Sequence, residues 1–239
     1  ISWQCYCPGR WNSLCEQAGM TTRSGAVSVN AFFLRCCLLL FSCMTLLACS
    51  DGPKLPSLPP GTVVLAFGDS ITAGVGAARG QDYPAALAEA SGWQVINAGV
   101  SGDTAREARK RLAPLLAVHR PALVIIELGG NDFLRQTPAP KVRLYLQEIV
   151  REVLASGAQV ALVAVPRLSL LRASIGALSD SPIYAELAER EGVVLIPEIL
   201  SDILSEDALR ADEIHPNARG YKQLAQGIEK ALRSSGLSR

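Results

Sequence analysis

The chain has 239 residues, 49% of them hydrophobic, with 23 basic against 22 acidic residues and a formal charge of +1. That length suffices to bury one substantial core, so one catalytic-size domain is expected. The first 49 residues hold three Arg and one Glu, so the other 20 basic and 21 acidic residues balance, and no nucleic-acid or other polyanion partner is implied.

Cysteine and histidine usage narrows the chemistry. All seven cysteines (Cys5, Cys7, Cys15, Cys36, Cys37, Cys43 and Cys49) lie in the N-terminal segment. The remainder therefore carries no disulfide framework and no cysteine metal site. With only His119 and His215 present, a multi-histidine zinc site is excluded too, and no cofactor is expected.

The chain opens at Ile1, and Met20 is the expected start of translation. Residues 1–19 show no usable periodicity. Arg23 and Arg35 then precede the apolar run Cys36-Cys37-Leu38-Leu39-Leu40-Phe41-Ser42-Cys43-Met44-Thr45-Leu46-Leu47-Ala48, too short to span a bilayer comfortably but suited to the core of a signal peptide. It ends in Leu46-Leu47-Ala48-Cys49, which resembles the lipobox of bacterial lipoproteins, where the cysteine is acylated and becomes the first mature residue. Leu47 is bulkier than the residue usual at its position. Acylation at Cys49 is the favoured reading, ahead of ordinary cleavage with secretion and of an uncleaved anchor. It implies a bacterial envelope location, periplasmic or membrane-anchored. Residues 50–61 contain four prolines, Pro53, Pro56, Pro59 and Pro60, and read as a semi-rigid tether. The domain is expected over 62–239.

Within it, Val63-Val64-Leu65-Ala66-Phe67 is a short β-branched apolar run that breaks at Gly68-Asp69-Ser70, a strand handing over to a turn. Asp69 or Ser70 could serve there simply as a helix N-cap. Pro84 suits the first turn of a helix to residue 90. A second strand (93–97) leads to Gly99-Val100-Ser101-Gly102-Asp103-Thr104 and a helix over 105–118. The third strand (122–128) is the continuous apolar kind of parallel sheets and ends in Gly129-Gly130-Asn131-Asp132. A helix over 141–156 carries Val142, Tyr145, Leu146, Ile149 and Val153 at helical spacing, and Gly157 stops it. A strand over 159–165, an undecided segment over 167–180, a helix over 183–191, a strand over 193–196 and a short helix over 198–204 follow. A loop with Asp212-Glu213-Ile214-His215-Pro216-Asn217 then precedes the last helix, 218–233.

Strands alternating with helices predict an α/β fold with three layers, α/β/α. Its five-stranded parallel sheet is expected in the flavodoxin-like order 2-1-3-4-5, with a site where strands 1 and 3 end. No GxGxxG follows a strand and no Walker A sequence occurs, so nucleotide binding is unsupported.

Ser70 has a hydroxyl too basic to attack a carbonyl unaided and needs an adjacent base. His215 is the available one; His119, at a helix end before Arg120-Pro121, reads as a solvated residue compensating the helix dipole. Asp212, three residues before His215, can reach its Nδ1–H in a turn and fix the tautomer. Alternatively it is an ordinary loop carboxylate. Gly99 is either a backbone oxyanion donor or a turn glycine, and Asn131 either a side-chain oxyanion donor or a turn cap. Such donors are worth roughly 3–4 kcal/mol each in acyl transfer.

Gly68-Asp69-Ser70, Gly99, Gly129-Gly130-Asn131-Asp132 and Asp212-Glu213-Ile214-His215, in that order, resemble the four motif blocks of the SGNH (GDSL) hydrolase superfamily across residues 62–231. The likeness is greatest to its bacterial arylesterase, lysophospholipase and acyl-CoA thioesterase I group. By that resemblance Ser70 is the nucleophile, His215 the base and then acid, and Asp212 the orienting acid. Ser70, Gly99 and Asn131 form the oxyanion hole, and Asp69 is structural. The segment Pro166-Arg167-Leu168-Ser169-Leu170-Leu171-Arg172-Ala173-Ser174-Ile175 departs from the loop of the best-known thioesterases of the group, so acyl length and ester-versus-thioester preference do not carry over. The expectation is a serine hydrolase of acyl or aryl esters, a small-molecule or lipid substrate, and membrane attachment through Cys49. The rival readings are a carbohydrate O-acetylesterase of the envelope and a catalytically silent envelope-binding lipoprotein.

Overall fold

Five short apolar segments become strands because each is too short and too β-branched to form a helix of its own. The computed structural model describes residues 57–167 and 178–238. The signal-like segment, Cys49, most of the tether and residues 168–177, which take in most of the departing loop, lie outside the described residues.

The strands are β1 (Val63–Gly68), β2 (Gln94–Gly99), β3 (Leu123–Glu127), β4 (Gln159–Val163) and β5 (Val194–Ile196). They form one sheet in the order β2-β1-β3-β4-β5, parallel throughout. The expected topology is the observed one. Strands β1, β3 and β4 are buried almost end to end, as central strands covered on both faces must be. In the register, Gly68 pairs with Gly99 on one side and Glu127 on the other, so β1, β2 and β3 end together at one edge.

Nine α-helices are described: α1 (Ser70–Ala73), α2 (Tyr83–Ser91), α3 (Ala105–Arg109), α4 (Leu112–His119), α5 (Gly130–Leu134), α6 (Ala139–Ala155), α7 (Ile183–Glu191), α8 (Ile199–Ser205) and α9 (Ala218–Ser234). Helices α2, α8 and α9 pack together, and α3, α4 and α7 pack around α6. Reversing the winding direction at β1 sends the two groups to opposite faces of the sheet. In α6, Val142, Leu146, Ile149, Val150 and Val153 recur every three or four residues and are all buried. Burying each such side chain contributes about 1.5–3 kcal/mol.

Two expectations change. The helix foreseen over 105–118 is two helices, α3 and α4. Pro114 has no N–H for the Lys110 carbonyl and its ring crowds it, so the helix cannot run through. The proline tether is docked from its last residues onward: Leu58 N–H donates to Leu237 O at 2.9 Å, and Leu58 O accepts from Trp93 Nε1 at 3.3 Å.

Candidate active site

At the end of β1 the chain turns sharply into α1, with Asp69 as its cap: Oδ1 accepts the Ile71 N–H at 3.1 Å. Capping fixes the turn and places Ser70 at the first helical position, its side chain against the last loop of the domain.

That loop is built to hold a histidine. Ala211 N–H donates to His215 O at 2.8 Å, and Asn217 N–H to Leu209 O at 2.8 Å, closing the loop on itself. Asp212 Oδ1 accepts the N–H groups of Ile214 and His215, both at 2.9 Å. Its Oδ2 is then left facing His215 Nδ1 at 2.8 Å, and His215 Nε2 stands 3.0 Å from Ser70 Oγ. Asp212, His215 and Ser70 thus form one continuous hydrogen-bonded row. Partial burial pulls the Asp212 carboxyl up, but hydrogen bonds from Ile214 and His215 and the imidazole charge outweigh it, and Asp212 stays below the ordinary carboxylate range. His119 ends α4 ahead of β3, at the other edge of the sheet.

Asn131 opens α5 after β3 and reaches the same place. Its amide donates to Asp69 Oδ2 at 3.1 Å and to Asp103 O at 3.0 Å, so both of its protons have internal acceptors. Gly99 does not serve as foreseen. Its N–H donates to Asn97 Oδ1 at 3.0 Å, and a side chain at Gly99 would collide with the backbone of Thr72 and Ala73. It is a close-approach glycine between β2 and α1. Gly102 differs in each respect: it has φ +87°, open space where a Cβ would stand, and no hydrogen bond to its N–H among the described residues. The next carbonyl, Asp103 O, is the one Asn131 holds.

Three further residues frame the site. Arg111 donates to Gly68 O (2.8 Å), Ala98 O (2.7 Å) and Asp103 Oδ2 (2.7 Å), and its guanidinium lies 4.5 Å from the centroid of the Phe67 ring. One side chain thereby ties the ends of β1 and β2 to the Gly102 loop. Asn97 donates to Thr72 O at 2.8 Å. Beneath the turn, Glu127 is 1% exposed and Asp69 2% exposed. Burial lifts Asp69 to about 6 and holds Glu127 well above the carboxylate range, where the neighbouring Asp69 charge adds to the effect. The sequence signals were a charged residue in the apolar run of β3 and an asparagine two residues before Gly99.

A small cavity of about 20 Å³ opens on this row, and Ser70, Asn131, His215, Leu134, Leu200 and Leu204 are among its walls. A larger groove between α2 and α9, with Gln81, Glu89, Arg219 and Lys222 on its sides, shares none of these residues. No group of three or more His, Cys, Asp or Glu among the described residues is arranged to hold a metal ion. The row can take a proton from a serine and pass it on.

Residues 66–223 match the GDSL-like lipase/acylhydrolase family. The chain belongs to that family. Among its relatives is thioesterase 1/protease 1/lysophospholipase L1 of Escherichia coli K12, 33% identical over 71% of this chain and 82% of that protein. Another is esterase TesA of Pseudomonas aeruginosa, 31% identical over 82% of this chain and 97% of that protein. A crystal structure of TesA superposes with a TM-score of 0.64 at 30% identity, over 73% of this chain and 99% of that one. Membership in the GDSL-like family makes the chain an ester hydrolase and accounts for the doubly wound sheet.

Proposed function

We propose that this GDSL-like hydrolase cleaves carboxylic esters by nucleophilic attack of Ser70. The observation that carries the proposal is the 3.0 Å contact between His215 Nε2 and Ser70 Oγ, with Asp212 on the far ring nitrogen at 2.8 Å. In the attack, the Ser70 Oγ–C bond forms as His215 takes the hydroxyl proton. Asp212 keeps its own charge, holds the tautomer and stabilises the imidazolium. His215 then protonates the departing alcohol, leaving an acyl-Ser70. Water attacks that ester, gives its proton to His215, and releases the acid with Ser70 restored.

The oxyanion that forms in each step is assigned three donors: the N–H of Ser70, the N–H of Gly102 and the Asn131 amide. Gly102 replaces Gly99 because its N–H has no acceptor among the described residues and it adjoins the carbonyl Asn131 touches. Asn131 joins by exchanging Asp103 O for the oxyanion, a tightening expected only when charge develops.

Ile71, Leu134, Val165, Leu200, Leu204 and Ile214 surround the Ser70–His215 contact with apolar side chains, which supports an acyl or aryl ester as substrate. Thioesterase, lysophospholipase and esterase in the relatives' names are consistent with that class. The test is hydrolysis of p-nitrophenyl esters of increasing acyl length, beside palmitoyl-CoA and a lysophospholipid, with Ser70→Ala as control. Activity abolished by Ser70→Ala supports the reading, and the length profile defines the acyl group. Hydrolysis undiminished in Ser70→Ala overturns it.

The lipobox-like Leu46-Leu47-Ala48-Cys49 supports an envelope lipoprotein held by acylation of Cys49. Incorporation of labelled palmitate that is lost in Cys49→Ser is the expected result; equal incorporation in both counts against it.

A further inference from the structure

Beneath the Ser70 turn lies a set of buried polar groups that the acyl-transfer steps do not use. Glu127 closes β3 in register with Gly68, and Asp69 follows Gly68 directly, so two buried carboxyls from adjacent strand ends lie side by side beneath the turn. Asp69 has both oxygens committed as acceptors, Oδ1 to Ile71 N–H and Oδ2 to the Asn131 amide. Glu127 Oε2 accepts from Thr72 Oγ1 at 3.1 Å, and Thr72 Oγ1 lies 3.1 Å from the Tyr83 hydroxyl. Thr72 has spent its one proton on Glu127, so Tyr83 is the donor to Thr72. Glu127 Oε1 is buried with no donor among the described residues. Two ionised carboxylates cannot face each other in such a place without a proton between them.

We propose that Glu127 is a neutral carboxylic acid donating to the Asp69 carboxylate, and that this buried pair is a positioning device for Asn131 and the Ser70 turn. The proposal rests on the oxyanion role given above to Asn131. Asp69 must be ionised to accept from Asn131 and Ile71 together, and it remains ionised in the interior because Glu127 supplies a hydrogen bond without a second charge. The assignment of the proton follows from the partners: Glu127 accepts one side-chain hydrogen bond, from Thr72, with the Asp69 N–H beside it, whereas both oxygens of Asp69 have well-formed donors, the Ile71 N–H and the Asn131 amide. Burial raises both carboxyls, the Asp69 charge raises Glu127 further, and the hydrogen bond with Glu127 lowers Asp69.

The titratable groups facing the pair are few. His215 approaches from the last loop and favours the Asp69 charge. The phenols of Tyr83 from α2, Tyr184 from α7 and Tyr221 from α9 are all raised by burial and remain neutral donors at ordinary pH. Below pH of about 6 Asp69 gains its own proton, ceases to be a full acceptor for Asn131, and releases it.

Two variants and one spectrum test the arrangement. Glu127→Gln keeps a neutral donor of the same shape; Glu127→Met keeps the volume but has none. On a p-nitrophenyl ester, Glu127→Gln is expected to retain at least about a third of wild-type kcat. Glu127→Met is expected to lose about tenfold to a hundredfold in kcat with KM within about twofold, the signature of a misplaced oxyanion donor. Packing alone predicts the reverse ranking, because an apolar replacement of a buried carboxyl is commonly neutral or stabilising. Wild-type kcat in Glu127→Met, or equal losses in both variants, overturns the positioning claim.

The proton itself is read by infrared difference spectroscopy at pH 8, wild type minus Glu127→Gln. A band from a protonated carboxyl present only in the wild type is expected, and its absence overturns the neutral Glu127. This readout needs no turnover, so it separates failure of the pair from failure of the hydrolase mechanism, and it decides alone should Glu127→Met not fold.

Discussion

Asp69 and Asp212 are the same residue type on two sides of one serine, and their surroundings drive them apart. The side chain of Asp212 is 53% exposed and meets three N–H donors from its own loop, which keeps it ionised below the ordinary range. Asp69 is 2% exposed, faces another carboxyl and rises to about 6. In the mechanism proposed above, the exposed one steadies a charge that comes and goes on His215. The buried one is placed to hold neutral donors still. Burial and the number of donors decide which task a carboxylate performs, not its position in a motif.

The sharpest way to break this contrast is to remove the reacting group. Ser70→Ala should lower kcat/KM by at least about 10⁵-fold, and comparable turnover would end the account. Asp212→Asn should follow with a loss of about 10⁴-fold at neutral pH, because Nδ1 would then face the wrong tautomer. Asn131→Ala should cost about 10²–10³-fold in kcat with KM little changed; a change confined to KM would point to substrate binding instead.

Asp69→Asn sharpens the comparison through pH. The native carboxyl binds its proton more tightly folded than unfolded, so its contribution to stability is fully present below its unfolded pKa of about 3.9 and is lost as pH rises through about 6. The amide has no such dependence. Between pH 4 and pH 6.5, chemical denaturation should therefore show the variant gaining about 1–3 kcal/mol on the wild type. Asp212→Asn should show the opposite trend: the depressed carboxyl stabilises the fold above its unfolded pKa and loses that contribution as pH falls through its lowered folded value. Parallel pH slopes for the two variants would contradict the contrast. At the small end, Thr104→Ala removes the side-chain cap of α3, where Thr104 Oγ1 accepts the Glu107 N–H at 3.2 Å, and should cost about 1 kcal/mol with no change in kcat.

Much of this was open to reading in the sequence. Alternating apolar runs and helical spacings give the parallel sheet and its order, because short β-branched segments separated by helices have few other ways to bury both faces. Asp212 and His215 were legible because their spacing closes a turn on its own, and Ser70 because Gly68-Asp69-Ser70 interrupts an apolar run. What failed required three dimensions. Gly99 ends β2 and Gly102 lies in the loop after it, and only the fold shows Asn97 turned back onto the Gly99 N–H while the Gly102 N–H meets no acceptor among the described residues. Arg111 falls inside the single helix expected over 105–118, and only the break at Pro114 shows its guanidinium meeting three strand and loop ends. Glu127 stood in plain view inside an apolar strand, but its partner Asp69 lies 58 residues away along the chain and beside it only in the sheet register.

The most direct measurement is covalent labelling with an alkyl fluorophosphonate followed by peptide mass spectrometry. A single adduct on Ser70 is predicted, absent in Ser70→Ala and formed far more slowly in Asp212→Asn. An enzyme that hydrolyses esters while Ser70 stays unlabelled, or that labels equally well without the serine, would contradict the account.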